Sequence, residues 1–473
     1  MGSFSNLIRS TATVMPEVPK PTRKPSLTEK LIWTAMALVV YLVMSQVPLY
    51  GVEFGRGTNI QFLNIIFAAS QGTLMTLGIG PIVTAGLILQ LLKGAEIIRL
   101  DFKKPEDRAM FSSATKLLTM VVIVVEGAAY VFGGVFNPSP GQPLPLATSV
   151  IVLAQLFVAG LIVMMLDELV QKGWGIGSGI SLFILAGVAQ RILWDIFSPL
   201  PVSDGLLGIV PFFVTAALAG NPAVALLRPG GLPSLFGLAL TIIVILIVIY
   251  VEGIRIEIPI TSTRFRGFAG AYPIKFLYVS NIPIILTSAL AANVAFFSQL
   301  LWSRFNPQNT NALLNLLATY DPANPGNPTG GIVRYITSPQ ALEGVFADPL
   351  RAATYVAFTA GFAIIFARIW VEIGGLSPHA AAKSLIDAQV QIPGFRRAEG
   401  SVEALLSKYI PVITILGGAF IGLLAAGSDL LGVFGSGIGI LLMTSITIQY
   451  YQLLMRERLE TMMPQLGALL GRR

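Results

Sequence analysis

The chain has no cysteine, a single histidine (His379), and little charge: Asp, Glu, Lys and Arg make up 12% of its 473 residues. The missing thiols exclude disulfides, and one imidazole cannot supply a thiolate or histidine metal cluster. A soluble domain carries about 25% charged residues. What is abundant instead is apolar surface. Hydrophobic residues are 54% of the chain and mean hydropathy is +0.75. This composition is that of a polytopic membrane protein.

Ten apolar stretches are long enough to be spans: residues 30–49, 73–93, 112–133, 147–167, 176–196, 235–254, 275–301, 352–374, 407–427 and 431–454. Some twenty apolar residues at ~1.5 Å rise cross the ~30 Å hydrocarbon core. The polar, Pro- and Lys-rich residues before the first span do not resemble a signal peptide, and the N-terminus is expected to stay in the cytosol. With that end inside and the spans alternating, 25 of the 31 Lys and Arg residues fall on cytosolic segments. The opposite orientation reverses that bias, so both termini are expected inside. The outer loops 134–146, 197–234 and 302–351 are rich in Pro, Gly and Asn. They read as solvated connections without chemistry.

The second span is unusual. TLMTLGIGPIVTAGLILQLL (residues 73–92) has no charge and no aromatic, yet holds Gly78, Gly80, Pro81 and Gly86. Glycine and proline loosen a helix and admit other backbone. Inside a membrane this is tolerated where protein or a water-filled cavity covers the freed groups, so the span is expected to line something. The preceding segment 59–71 (NIQFLNIIFAASQ) is too short to cross. It reads either as an interfacial helix or as a re-entrant half-helix entering from outside.

Three lone polar residues sit within spans: Glu126, Asn293 and Thr84. A carboxylate at mid-membrane costs about 2.5–3.5 kcal/mol on insertion scales, so Glu126 should face the bundle interior. Chemistry alone leaves two readings, interhelical hydrogen-bond glue or a site on a transport path. The glycines of DELVQKGWGIGSGISLF (167–183) suggest a nucleotide loop only weakly, because no strand and no soluble βαβ unit precedes them. Close packing at the start of the fifth span is the better reading. The cytosolic loop after the sixth span alternates apolar and polar residues before Thr261 and reads as a small hairpin. It carries Arg264 and Arg266, and the loop after the eighth span carries Arg396 and Arg397. Such charges suit an anionic partner such as RNA, although positive-inside bias alone would place them there.

The segments 73–92, 167–183 and YPIKFLYVSNIPIILTSAL (272–290), in this order along nearly the whole chain, resemble the SecY family, the α subunit of the Sec protein-conducting channel. The variant DELVQKGWG is closer to the archaeal and eukaryotic branch than to the bacterial one. The resemblance implies an all-α polytopic fold of ten transmembrane helices in two pseudo-symmetric five-helix halves, a clamshell with a re-entrant plug helix. The expected divisions are a cytosolic segment 1–29, an N-terminal half 30–196 with the plug at 59–71, and an external loop or hinge 197–234. A C-terminal half 235–454 with cytosolic loops 255–275 and 375–407 follows, then a cytosolic tail 455–473. The resemblance further implies a pore ring of Ile79, Val83, Ile180, Ile184, Ile285 and Leu442, and a polar gate cluster of Thr84, Glu126 and Asn293. Arg264, Arg266, Arg396 and Arg397 match ribosome-docking loops. The implied partners are a SecE-like γ subunit, a β subunit, the ribosome, signal sequences with nascent chains, and membrane lipids. No cofactor, metal or catalysis is expected, and the site is a prokaryotic cell membrane of archaeal type. A secondary transporter of a small solute also uses broken helices and repeats, but it needs a polar midplane site that one isolated carboxylate poorly provides. A poreless scaffold would tolerate polar replacements in the ring.

Overall fold

A computed structural model describes residues 15–52, 68–94, 97–98, 104–133, 135–136, 144–202, 205–262, 269–279, 281–321, 324–339, 341–387, 390–392 and 399–462. Ten long helices carry the fold: α1 (Leu27–Met44), α2 (Gly80–Gly94), α3 (Pro105–Phe132), α4 (Leu146–Leu169) and α5 (Gly179–Phe197), then α6 (Leu235–Gly253), α7 (Ile282–Phe305), α8 (Pro349–Ile373), α9 (Glu399–Leu430) and α10 (Gly437–Met462). Local signals explain several starts. Ser26 and Glu29 form a reciprocal capping box at α1, which satisfies two otherwise orphaned amides. The Ser234 hydroxyl accepts from Gly237 N at α6, and the Asp348 carboxylate accepts from Arg351 N at α8. Pro105 opens α3 with Glu106 and Asp107 in the first turn, where the helix dipole favours negative charge.

Nine of these helices are long and apolar enough to cross a membrane. The exception is α2, which has 15 residues and reaches only ~22 Å at 1.5 Å per residue. The sequence suggested a helix from residue 73. Residues 70–79 instead form successive turns. Gly78 has φ +55°, outside the helical region, and Pro81 follows the first helical residue. These turns sit deep in the protein: Thr73, Met75, Thr76 and Ile79 are all buried. Their polar groups are satisfied locally. Thr73 Oγ1 donates to Ser70 O and accepts from Met75 N, and Thr76 Oγ1 donates to Thr73 O. Leu74 N donates to Val47 O, and Gly72 O accepts from Leu49 N.

Within each half, α2 packs on α3 and α3 on α4, while α7 packs on α8 and α8 on α9. Glycine permits these approaches. A Cβ at Gly160 would meet the Ile123 side chain at 2.8 Å, and one at Gly422 would meet the Ala360 backbone at 2.6 Å. Small residues of this kind are how helices associate where lipid is as apolar as the partner. Between halves, α2 packs on α7 and α8, and α5 and α1 pack on α10. The two halves repeat in detail. On the first helix of the first half, Thr34 Oγ1 donates to Lys30 O at 2.7 Å and accepts from Ile176 N at 3.0 Å. On the first helix of the second half, Thr241 Oγ1 donates to Gly237 O at 2.7 Å and accepts from Phe434 N at 3.1 Å. Five helices per half make the second copy run in the opposite sense, an inverted repeat.

The external connections are folded rather than merely solvated. Pro201–Val202 pairs antiparallel with Gly205–Leu206, followed by a helix Ile209–Leu218. Arg228 is buried there. Its guanidinium donates to the carbonyls of Leu206, Leu207 and Pro233 and lies 3.8 Å from the Phe212 ring centroid. After α7, asparagine side chains replace backbone partners. Asn306 Nδ2 donates to Asn315 Oδ1, Asn309 Oδ1 accepts from Trp302 Nε1, and Asn309 Nδ2 donates to Tyr320 O. Burial pushes the Tyr320 phenol up to about 12. Asn and Gly mark turns because they bond their own backbone and tolerate unusual dihedrals, so composition alone does not separate a folded loop from a solvated one.

After α6 the hairpin expected from alternation is present. β1 (Arg255–Ser262) pairs antiparallel with β2 (Ala269–Lys275), and β3 (Val390–Gln391) adds to β1 with Thr261 opposite Gln391. One sheet therefore joins the loops after α6 and α8. Beside it, α9 begins at Glu399, eight residues before the apolar stretch, so its first two turns extend the helix beyond the lipid.

Truncating Arg228 to leucine strands three carbonyls that had a charged donor. Hydrogen bonds to charged groups contribute about 1.5–3 kcal/mol each. The Arg228→Leu protein should therefore unfold at least about 2 kcal/mol more easily in denaturant titration. An unchanged midpoint would refute this account of the 197–234 segment.

Candidate pore and lateral seam

Of the six residues expected at the ring, Ile79 immediately precedes α2 and Val83 lies on it; Ile180 and Ile184 lie on α5, Ile285 on α7 and Leu442 on α10. All six fall within the main apolar cluster of the protein, which also takes in residues of the other long helices. Ile79, Val83, Ile184 and Leu442 are buried, and Ile180 and Ile285 are half-buried against them. Branched aliphatic side chains give such a constriction no group that holds water, so it dewets.

The expected plug, 59–71, lies mostly outside the described residues, but its end is placed. Ala68 is buried in the main apolar cluster. It takes the left-handed φ of +48°, and its carbonyl accepts from the Tyr41 hydroxyl at 2.9 Å. The Tyr41 ring stacks on Phe183 of α5, centroids 4.8 Å apart. A Cβ on Gly187 would approach the Tyr41 hydroxyl at 3.3 Å.

Thr84, Glu126 and Asn293 also meet. Asn293 Nδ2 donates to Thr84 Oγ1 at 3.1 Å, and Thr84 Oγ1 donates to Glu126 Oε1 at 3.2 Å. Asn293 Nδ2 also donates to Ala289 O at 2.9 Å. A hydroxyl has one proton. With Asn293 donating to Thr84, that proton goes to Glu126, which is closer than Asn293 Oδ1 at 3.4 Å. The result is a directed chain from α7 through α2 to α3. Among the described residues no cation pairs with Glu126. Beside it, Tyr130 of α3 stacks on Phe296 of α7 at 4.6 Å, and Ser303 of α7 donates to the Gly133 carbonyl at the end of α3. These contacts close the seam between the halves.

The glycine-rich stretch 167–183 contains no strand and no phosphate cradle. It runs from α4 through a π-helical turn, Val170–Trp174 with Gly173 at φ +100°, into α5. The N-terminal segment is strapped onto it. Lys172 pairs with Glu17 and Glu168, and Trp174 Nε1 donates to Pro19 O at 2.7 Å. The Lys172 ammonium holds the Glu17 carboxyl below its ordinary range. Sequence reading missed this strap, because nothing in residues 15–20 patterns as an element.

Arg264, Arg266, Arg396 and Arg397 lie outside the described residues. The strands flanking them are the ones joined at Thr261 and Gln391. Among the described residues no group of three or more His, Cys, Asp or Glu could hold a metal.

Comparison with known proteins agrees with this geometry. A family model described as SecY matches residues 73–451, and one described as the plug domain of Sec61p matches residues 39–72. The chain is 42% identical over 465 residues to the protein translocase subunit SecY of Pyrococcus horikoshii, covering 96% of each. Among solved structures it is similar to a protein-conducting channel at TM-score 0.81 and 36% identity, covering 95% of this chain and 97% of that one. It is likewise similar to canine Sec61 in a ribosome-channel complex from the endoplasmic reticulum, at TM-score 0.79 and 35% identity, with the same coverage.

The directed chain makes Thr84 and Asn293 interdependent. Thr84→Val and Asn293→Leu should each destabilise the protein, and their effects should fall short of additive by about 0.6–1.7 kcal/mol, the scale of intramembrane hydrogen bonds. Strict additivity in a double-mutant cycle on denaturant unfolding would mean that the two side chains do not act as a pair.

Proposed function

The chain belongs to the SecY family, and from that premise we propose how its particular residues work. The protein is a multi-pass membrane protein and the pore-forming subunit of a protein translocation channel. It passes secretory polypeptides across the membrane and releases apolar segments sideways into lipid. What supports the site assignment is the family match over residues 73–451 together with the packing of α2 on α7 and of α5 on α10, the helices that carry the ring positions. Ile79, Val83, Ile180, Ile184, Ile285 and Leu442 are the seal. They exclude water and ions when closed and yield around a polypeptide without binding it. The segment 59–71 is the plug beneath the seal.

Thr84, Glu126 and Asn293 set the threshold for opening the seam where α2 and α3 meet α7 and α8. Intramembrane hydrogen bonds average about 0.6 kcal/mol, with a maximum near 1.7. Breaking one such bond therefore shifts the closed–open balance by about threefold on average and by less than about twentyfold at most, since 1.4 kcal/mol is tenfold. That is small enough for a signal sequence to overcome by its differential affinity for the open seam. A larger barrier would keep the channel shut to its clients, and none would leave it leaking.

The channel transforms no substrate covalently. We place it in the cell membrane of a prokaryote with both termini in the cytosol, on the Lys and Arg bias. Its partners are a SecE-like γ subunit, a β subunit and the ribosome. The canine relative was solved in a ribosome-channel complex, and here one sheet joins the two basic cytosolic loops. Arg264, Arg266, Arg396 and Arg397 would meet ribosomal RNA there through salt-sensitive phosphate contacts. A small-solute transporter is disfavoured because Glu126 bonds Thr84 rather than facing a second ligand group.

Two experiments test this. Reconstituted with a γ-type subunit in planar bilayers, the wild-type channel should be tight, and a variant lacking residues 59–71 should flicker open. Silence in both, with folded protein, would refute plug and pore together. The seam can be locked directly. A Cβ at Gly94 of α2 would stand 3.0 Å from Ile369 Cγ2 on α8, which places the two Cβ atoms within ~4.5 Å, disulfide range. The chain has no other cysteine. Oxidised Gly94→Cys/Ile369→Cys protein should fail to pass a secreted reporter and recover on reduction. Normal secretion with the bond formed would refute opening between α2 and α8.

A further inference from the structure

The same four residues occur at two turns: Gly177-Ser178-Gly179-Ile180 enters α5, and Gly435-Ser436-Gly437-Ile438 enters α10. The two turns correspond in their glycines and their aspartate caps, although Ser178 is extended at φ −120° and Ser436 left-handed at φ +67°. Gly177 and Gly435 both have left-handed backbone, φ +78° and +65°. Each helix start is held by a buried aspartate from the end of the preceding helix. Asp167 Oδ1 accepts from Ile180 N at 2.9 Å, and Asp429 Oδ1 accepts from Gly437 N at 2.7 Å. Each carboxylate is braced by a second donor, Gln171 Nε2 at 2.8 Å for Asp167 and the Tyr355 hydroxyl at 2.6 Å for Asp429.

The turns are also reciprocal seats. A Cβ on Gly177 would lie 2.9 Å from Tyr450 Cζ, and one on Gly435 would lie 2.9 Å from Ile192 Cγ1. Tyr450 belongs to α10 and Ile192 to α5. The Tyr450 hydroxyl also donates to Ser178 O at 2.8 Å. So α5 starts in a turn that receives the far part of α10, and α10 starts in a turn that receives the far part of α5. Each helix is fixed at both ends. These two helices carry three of the six ring residues: Ile180, Ile184 and Leu442. A slip of one residue would move a ring side chain ~1.5 Å along the pore and turn it ~100° around the helix.

We propose that Asp167, Asp429 and the glycine seats Gly177 and Gly435 are positioning residues for the pore seal. They set the level and rotation of α5 and α10, so that Ile180, Ile184 and Leu442 meet the ring residues of α2 and α7. This rests on the ring assignment above. It assigns to the repeated turns a role in ion tightness that is distinct from holding the fold together.

The test is closed-state ion conductance of the γ-bound channel in planar bilayers, with thermal unfolding of the same preparations measured in parallel. Ile184→Asn serves as the reference breach of the ring. Gly435→Ala should raise closed-state conductance about tenfold, because its methyl group displaces Ile192. Adding Ile192→Ala should return it to within about twofold of wild type. The left-handed strain at residue 435 is present in both variants, so their difference reads the seat alone. Asp429→Leu should leak, while Asp429→Asn keeps an acceptor for Gly437 N and should stay tight. If Ile184→Asn leaks but Gly435→Ala and Asp429→Leu are tight, the positioning role is overturned and the ring stands. If Ile184→Asn is also tight, the ring assignment fails and takes this inference with it. If the leaks follow a falling unfolding temperature and Ile192→Ala does not restore the seal, the turns only stabilise the fold and the proposal is overturned.

Discussion

Every non-helical stretch of this chain at membrane depth must satisfy its own backbone, because hydrocarbon offers no water to do it. The structure follows from that constraint. The turns at 70–79 can stand beside the ring because Thr73 and Thr76 supply hydroxyls to the freed carbonyls and amides. Helix α2 can begin late, at Gly80, because those turns cost little once bonded. The turns before α5 and α10 meet the same need with Thr34 and Thr241, one hydroxyl each, aimed at equivalent amides. At each of these three breaks a threonine hydroxyl bonds backbone that has left the helix.

The same low dielectric that makes unsatisfied groups costly makes a small polar chain informative. Glu126 is buried with one hydroxyl donor, so its environment is decided by Thr84, and Thr84 in turn by Asn293 on the other half. The apolar ring beside it needs no such pairing. On the proposed assignment the two devices divide the work: the ring excludes ions without specificity, and the polar chain couples closure of the seam to a defined side-chain arrangement. An apolar seam throughout would leave nothing at that junction to favour the closed pairing of α2 with α7 over contact with lipid, since lipid is as apolar as the partner helix.

Much of this was legible in the sequence. Hydropathy placed all ten helices, alternation anticipated β1 and β2, and Glu126, Thr84 and Asn293 stood out as polar residues in apolar surroundings. The proposed ring residues come only from family resemblance, since nothing in an isolated Ile or Leu distinguishes a seal from a core. Three features stayed hidden, each for a physical reason. Residues 73–79 are as apolar as a helix, and only the positive φ at Gly78 shows that they are turns. Arg228 looks like an exposed charge in a Pro- and Gly-rich loop, because its carbonyl partners carry no sequence signature. The seats of Gly177 and Gly435 depend on contacts with Tyr450 and Ile192, hundreds of residues distant in the chain. The repeated Gly-Ser-Gly-Ile was available as a signal, but reading it required comparing the two halves.

The two junctions between the halves are not equivalent, and the difference decides which one parts. At the α5–α10 side, interlocked glycine seats leave no room for sliding, Tyr450 bonds Ser178, and Lys30 of α1 pairs with Glu457 of α10 at 2.7 Å with the lysine largely buried. Glu457 keeps about a quarter of its side chain exposed, so this pair adds about 1 kcal/mol to the junction. At the α2–α7 side the links are neutral: Asn293 to Thr84, Ser303 to the Gly133 carbonyl, and the stacked rings of Tyr130 and Phe296. Each is worth about 0.5–1.5 kcal/mol, and none strands a charge when it breaks. An entering apolar segment can replace the ring contacts with its own side chains. Separation of the halves is therefore cheapest at the seam and most costly at the glycine seats, so the molecule opens as a clamshell hinged on the α5–α10 side, with its lateral exit between α2 and α7.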